Sequence, residues 1–464
     1  MPNGFIFANA SIFGGWTNRV YFWQNYRIYQ IQKELSEIVM LQDIKNKIKS
    51  LFAGGFFHVF AGSILAKLIA FISSVVIVRL VTKVDYAYLA YADNLYNYVI
   101  SLAGMGMTAA ILKYCATAKT KEEDKAYFGF ALKYGTIVQC FFSVLIVGYV
   151  LLGNIPFPGA KEVVCVLVLY PVLSNVLSAI MNYLRAHSYN QLYAKTAVIQ
   201  TIVVFLASVL FVLLVGINGI AIARYLAIGA AVAVTLKVVR SELGGVERKK
   251  LEKSQMKSFM AMALSLMISN LFSSIMPINE MTLVNEVLRD EVITANYKIA
   301  IMIPSQLVFV SQSIIIYYFT IIAKLENGLE IWRLSKKIGI VTGILVGVIG
   351  GAGAVCTPII IRFVYGSKYE DAIPLALFFW LIYVLNAGFR MIPMNLLPAI
   401  GVVKFNAVMA GVSCVSHLVL TYMSIKILGI WGVGIATGIV YLITGVLYWV
   451  YYKRKCAENN YEII

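Results

Sequence analysis

Residues 270–312 read NLFSSIMPINEMTLVNEVLRDEVITANYKIAIMIPSQLVFVSQ, two apolar helices joined by a short polar turn. The first carries a carboxylate, Glu280, and the second an ammonium, Lys298, in segments otherwise composed for hydrocarbon. A charge at the centre of a bilayer costs roughly 3 kcal/mol on insertion scales, so it usually marks a pathway. Asn270, Ser273, Pro277 and Glu280 recur at spacings of three and four, which puts them on one helical face. Lys298, Ser305 and Gln312 recur every seventh residue on the next helix. Facing polar stripes predict a hydrated cavity between two membrane helices. A structural ion pair or polar packing between the helices is the alternative.

The rest of the chain is composed like that stretch. Of its 464 residues 60% are hydrophobic and 13% charged, with mean hydropathy +0.81; a soluble domain carries about a quarter charged residues. Apolar runs of about 20 residues recur from Phe52 to Tyr452, long enough to cross about 30 Å of hydrocarbon. They are continuous rather than alternating, which excludes a transmembrane barrel. The expected fold class is all-α: a polytopic membrane protein with about 12 transmembrane helices. Their spans are 53–80, 86–112, 127–152, 161–184, 194–215, 219–239, 257–284, 292–323, 338–361, 372–398, 405–428 and 431–452. Every connection is short, so the extramembrane domain of a membrane glycosyltransferase has no place, and the chain is expected not to be an enzyme. Nor do acids or histidines cluster at one membrane face, as an integral transferase would need. Without a Walker or dinucleotide loop, ATP is not the expected energy source. No cofactor is expected, only coupling to H⁺ or Na⁺. The six cysteines are scattered without a CxxC pair, which argues against a metal site or a disulfide framework. His58, His187 and His417 lie too far apart in the chain to suggest a shared site.

The longest connection, Lys237 to Lys257, separates six spans from six. The expected organisation is an N-terminal cytoplasmic extension with an interfacial basic helix (1–52), a first six-helix bundle (53–240), a linker (241–256), a second bundle (257–452) and a cytoplasmic tail (453–464). No signal-peptide pattern opens the chain. Residues 1–39 are either a loose extension or lie upstream of a true start at Met40. With the N-terminus inside, most of the 39 Lys and Arg residues fall in cytoplasmic loops. That asymmetry predicts a multi-pass protein of the cell (inner) membrane with both termini cytoplasmic. It also accounts for the net charge of +17 without a nucleic-acid partner. Gly216-Ile-Asn-Gly-Ile-Ala-Ile-Ala and Gly429-Ile-Trp-Gly-Val-Gly-Ile-Ala agree at five of eight positions, each opening the last helix of its half. The same register runs back to Arg185 and Pro398. Parallel repeats of this kind place a site between two bundles.

Four short patterns carry a resemblance. Arg79-Leu-Val-Thr-Lys-Val-Asp-Tyr-Ala-Tyr follows helix 1 and Ala295-Asn-Tyr-Lys-Ile-Ala starts helix 8. Tyr365-Gly-Ser-Lys-Tyr-Glu-Asp-Ala precedes helix 10 and Pro398-Ala-Ile-Gly-Val-Val-Lys precedes helix 11. In order and spacing, over about residues 45–452, the chain resembles the polysaccharide and O-antigen flippases of the multidrug/oligosaccharidyl-lipid/polysaccharide (MOP) exporter superfamily. It departs from them at Ala87, where Gly is usual, and at Glu280, where Asp is frequent. The resemblance implies a V-shaped pair of six-helix bundles that moves a polyprenyl-pyrophosphate-linked oligosaccharide from the cytoplasmic to the outer leaflet, for surface polysaccharide assembly. The partners it implies are that lipid-linked glycan, membrane lipid and the polysaccharide polymerase machinery. A cation-coupled multidrug antiporter and a lipid-linked peptidoglycan-precursor flippase are the alternatives.

Such a substrate needs cations to offset desolvation of its phosphates in a low-dielectric cavity. Lys67, Lys298 and Arg390 are the candidates. Lys67 is the deepest, about twelve residues from either end of its span and beyond easy snorkelling; Arg390 could instead reach the cytoplasmic surface. Lys133 and Arg224 read as anchors near span ends. For the sugar, Asn97, Asn270 and Asn386 are the candidates. Asn97 belongs to the stripe Asp93, Asn97, Ser101, Gly104 and Thr108, and Asn386 to the stripe Tyr383, Asn386 and Arg390. Close helix packing accounts equally well for the Ser and Gly positions. Asp93 and Glu280 are expected to bind the coupling ion. Pro277 and Pro304 are expected to kink helices 7 and 8.

Overall fold

Backbone amides in hydrocarbon find no water, so a spanning segment must close its own hydrogen bonds, which a helix does. In the computed structural model the described residues form helices joined by short turns, with no strand among them. It describes residues 56–247, 250–402 and 404–458, with side chains from residue 65 apart from Ser269, Asn270, Phe272, Ser273 and Thr320. The chain divides into two units, Met1–Gly62 and Ser63–Ile464, and the second holds the helical bundle. Residues 1–52, with the expected extension and interfacial helix, lie outside the described residues, as does the end of the tail.

Each of the twelve expected spans is met by helix, but four are broken. The helices are α1 (Phe56–Leu80), α2 (Lys83–Ser101), α3 (Met107–Tyr114), α4 (Lys121–Leu152), α5 (Ala160–Val166), α6 (Tyr170–Ala186), α7 (Asn190–Val215) and α8 (Gly219–Leu243). The second half has α9 (Lys253–Leu283), α10 (Glu291–Met302), α11 (Leu307–Ile322), α12 (Gly328–Ile360), α13 (Ile373–Leu385), α14 (Met391–Leu396), α15 (Lys404–Leu428) and α16 (Trp431–Glu458). Among the described residues eight helical runs are long and apolar enough to cross a membrane, one of them covering both α7 and α8. Residues 83–114 and 253–283 fall outside those eight, and they carry Asp93 and Glu280.

The breaks have identifiable causes. Pro304 has no N–H to donate, and it opens a 3-10 turn, Pro304–Gln306, between α10 and α11. Pro277, by contrast, sits inside α9, which continues past it. Between α2 and α3 four consecutive residues are left-handed: Ala103 (φ 45°), Gly104 (57°), Met105 (57°) and Gly106 (76°). For Ala103 and Met105 this costs about 1–2 kcal/mol each. Packing holds the turn in place: a Cβ on Gly106 would lie 1.9 Å from the Ala263 carbonyl oxygen, and one on Gly104 2.8 Å from Gly135 Cα. The expected stripe from Asp93 to Thr108 therefore ends at Ser101, because the turn rotates Gly104 and Thr108 off its register.

The internal repeat is visible as geometry. Gly216 and Gly429 are both left-handed, at φ 65° and 57°. One turn later a Cβ on Gly219 would lie 2.3 Å from the Phe211 carbonyl, and one on Gly432 2.2 Å from the Ser424 carbonyl. The two hairpins, α7–α8 and α15–α16, reverse through the same close approach at the same register. The halves meet where α2 and α3 pack along α9 and α10. There the Asn94 amide pairs with the Thr282 hydroxyl (2.7 Å), and Tyr98 Oη donates to Asn279 Oδ1 (2.8 Å). At one end of this seam two family-like turns interlock: Lys83 pairs with Asp371 (3.4 Å), Lys368 Nζ donates to the Val81 carbonyl (2.6 Å), and Tyr86 packs edge-on to Tyr369.

Gly219→Ala and Gly432→Ala should each lower the melting temperature of the purified protein, by equivalent amounts, because each Cβ meets backbone that cannot rotate away. Melting of the two variants beside Gly229→Ala, which has open space around it, checks this.

Candidate functional site

Glu280, on α9, is 3% exposed. Burying a charge is tolerable only where donors replace its water, and three other helices bring them. Tyr297 on α10 donates its hydroxyl to Oε2 (3.0 Å). From α16, Thr437 donates to Oε1 (2.8 Å), and from α15, His417 Nε2 lies 3.0 Å from the same oxygen. The His417 ring is fully buried. Its Nε2 faces the oxygens of Glu280, Thr437 (3.0 Å) and Thr421 (3.4 Å), whereas Nδ1 has no hydrogen-bond partner among the described residues. An imidazolium would leave its Nδ1–H unpaired there, so the geometry suits the neutral ring with its proton on Nε2. The site is a carboxylate and an imidazole in direct contact, enclosed in protein.

Lys298 is not part of it. The Pro304 break interrupts the seven-residue stripe, and Tyr297, the neighbour of Lys298, is the residue that reaches Glu280. Glu280 and Lys298 form no ion pair. The Asn270 and Ser273 side chains lie outside the described residues, Pro277 is exposed, and Gln312 is exposed.

Asp93, the other intramembrane acid, is equally engaged. Both guanidinium nitrogens of Arg224 donate to its two carboxylate oxygens, Nη2 at 2.9 Å, and Arg224 stacks over the Tyr170 ring (4.7 Å). Arg224 is therefore an internal partner rather than a span-end anchor; it lies in the second turn of α8, but its guanidinium is covered by the Tyr170 ring of α6 and the Asp93 carboxylate of α2. Asn97 is exposed on the same helix as Asp93.

Arg390 does not reach a surface either. It is 8% exposed at the end of a π turn, Asn386–Arg390. Its Nε donates to Thr444 Oγ1 (2.9 Å) and Nη1 to Asn386 Oδ1 (3.2 Å), and it lies over the Tyr441 ring (5.0 Å). No carboxylate pairs with Arg390, Lys298 or Lys67 among the described residues. Lys67 is exposed, its ammonium 4.0 Å from the Phe309 ring centroid on α11. Ser74 Oγ lies 3.8 Å from Met302 Sδ. The two contacts set α1 antiparallel to α10–α11 and put Lys298 level with Val78. Lys67 and Lys298 are then offset by about eleven residues, or about 16 Å along the axis. They form a staggered pair, not a clamp on one phosphate.

His417, Thr437, Tyr297 and Thr444 were not singled out from the sequence. The signal was present as spacing: Ser413, His417 and Thr421 recur every four residues on α15, and Thr437, Tyr441, Thr444 and Tyr448 at four, three and four on α16. Both sets are buried. No group of three metal-ligating side chains occurs among the described residues.

The family model described as polysaccharide biosynthesis protein matches residues 52–323. The chain belongs to the polysaccharide biosynthesis protein family. No curated protein matches it in sequence. Among solved structures it is similar to a multidrug resistance MATE family transporter of the MOP superfamily in an inward-facing conformation (13% identity, 85% of this chain and 98% of that one, TM-score 0.66). It is also similar to the lipid II flippase MurJ in an inward closed conformation (16%, 87% and 89%, 0.64). A third similar structure is the Vibrio cholerae MATE transporter VcmN in the bent form (15%, 89% and 97%, 0.55). At these identities the likeness is one of fold, and this family member carries the fold of the MOP superfamily. It is a multi-pass membrane protein.

Removing one partner of an enclosed ion pair strands the other at a cost of about 3–5 kcal/mol; side-chain exposures of 17% and 26% here put the expected loss at the low end. Asp93→Asn should therefore lower the melting temperature clearly, and Asp93→Asn with Arg224→Met should recover most of it. Thermal unfolding of both variants in one detergent checks the pair.

Proposed function

We propose that this protein is a membrane flippase that moves a polyprenyl-pyrophosphate-linked oligosaccharide from the cytoplasmic to the outer leaflet. One observation supports the reading beyond the family: Asp93 and Glu280 are both held by partners on other helices, whereas Lys67, Lys298 and Arg390 form no ion pair among the described residues. The interior is left positive, which suits an anionic substrate and opposes the amphipathic cations that a multidrug antiporter takes up. Lys67 and Lys298, staggered along α1 and α10, offer successive contacts to a pyrophosphate as it changes level, while buried Arg390 supports the second half electrostatically. Exposed Asn97 is a contact for the sugar, whereas Asn386 is buried and holds the Arg390 guanidinium instead. The basic loops, including Lys324, Arg333 and Lys336, face the cytoplasm. Glu280 and His417 take up and release the proton that drives the cycle, since a ligand shifts two conformations only by its differential affinity for them.

Export of surface glycan in a strain relying on the Lys67→Ala/Lys298→Ala variant should fall more than tenfold with the protein still in the membrane, and each single variant should fall less. A cysteine replacing Lys336 should stay unlabelled by an impermeant reagent applied outside. Wild-type export from the double variant, or its conversion into tolerance of cationic dyes, would refute the reading.

A further inference from the structure

A groove of about 350 Å³ lies well away from the Glu280 network, between the left-handed turn of residues 103–106, the middle of α4 and the start of α9. Its walls are apolar: Met105 from the turn, Met107 from the start of α3, Phe130 and Ile137 from α4, and Met260 from α9. The left-handed backbone is what turns Met105 into it, since Gly106 is pinned against the α9 backbone. Lys253 and Lys257 stand at its mouth, both exposed. Neither makes an ion pair among the described residues. The acids nearby are engaged: the Glu252 carboxylate caps the start of α9, accepting from the Gln255 N–H, and Glu123 accepts from Gln255 Nε2 (3.0 Å). A third ammonium, Lys133, lies 5.4 Å from the ring of Tyr134, which is part of the wall. Beyond the groove the apolar surface continues along α4 as a row of exposed side chains, Tyr134, Ile137, Phe141 and Leu145.

We infer that this groove binds an anionic phospholipid, with its headgroup phosphate on Lys253 and Lys257 and one acyl chain along the α4 row. Charge complementarity selects the occupant. The apolar walls accept hydrocarbon of any kind, but paired ammonium groups at the membrane face favour a phosphate that carries net charge over a zwitterionic headgroup. A phospholipid seated there bridges α3, α4 and α9, and so touches both halves of the molecule. The inference rests on the orientation set by the basic loops, which puts the start of α9 at the cytoplasmic leaflet; its test reads lipid, not transport.

The full chain, purified into mixed micelles of equal phosphatidylglycerol and phosphatidylcholine, is analysed by native mass spectrometry for retained lipid. Wild type should keep phosphatidylglycerol over phosphatidylcholine by at least tenfold. Lys253→Glu/Lys257→Glu should abolish that preference, and the milder Lys253→Gln/Lys257→Gln should reduce it several-fold in case charge reversal impairs folding. Val138→Trp, which fills the groove wall, should lose the bound lipid with both lysines intact. Equal retention of the two phospholipids by wild type, an unchanged preference in both lysine variants, or retention of a prenyl phosphate in place of phosphatidylglycerol would overturn the assignment.

Discussion

A carboxylate buried among apolar helices is stable only if donors on other elements reach it, and Glu280 draws α9, α10, α15 and α16 to one point. Tyr297, Thr437 and His417 each come from a different helix, so no one of them can shift far without leaving a polar group in an apolar setting. The cost of an unsatisfied buried group, about 1–3 kcal/mol and more for a charge, ties the positions of four helices to the protonation of one pair. A network of this kind has a preferred arrangement for each charge state, which is what coupling of an ion to a conformational change requires.

The repeat sharpens the contrast between the halves. Both last helices open through the same glycine turn, and by that register Arg224 of α8 and Thr437 of α16 occupy equivalent places. Each meets the intramembrane acid of its own half, Asp93 and Glu280 respectively. Arginine does not give up its proton in proteins, so the Asp93 pair is a fixed strut. Glu280 meets the Thr437 hydroxyl and the His417 imidazole rather than an arginine. The same scaffold holds an arginine–carboxylate ion pair in one half and a carboxylate–imidazole contact in the other.

Much of this was legible in the sequence. Continuous apolar runs, short loops and the Gly216 and Gly429 repeat gave the helices and the hairpins, because hydrocarbon leaves the backbone no alternative. Asp93 and Glu280 stood out as costly residues. Their partners did not, because an ion pair between α2 and α8, or a carboxylate met from α15 and α16, is set by packing over more than a hundred residues of separation. Distance along the chain gave no hint of the contact that His417 makes with Glu280. The polar stripes failed where local backbone departs from a helix, at residues 103–106 and at Pro304, since a broken helix loses the register on which such stripes are read.

The central claim is that Glu280 and His417 together carry the proton that drives flipping. Transport of a fluorescent prenyl-pyrophosphate glycan in proteoliposomes, under a pH gradient or a Na⁺ gradient imposed separately, tests it most directly. The account predicts that wild type responds to the pH gradient and not to Na⁺, and that Glu280→Gln and His417→Gln each abolish the response while glycan binding survives. A gradient response in both variants equal to that of wild type, or a wild type driven by Na⁺ alone, would contradict it.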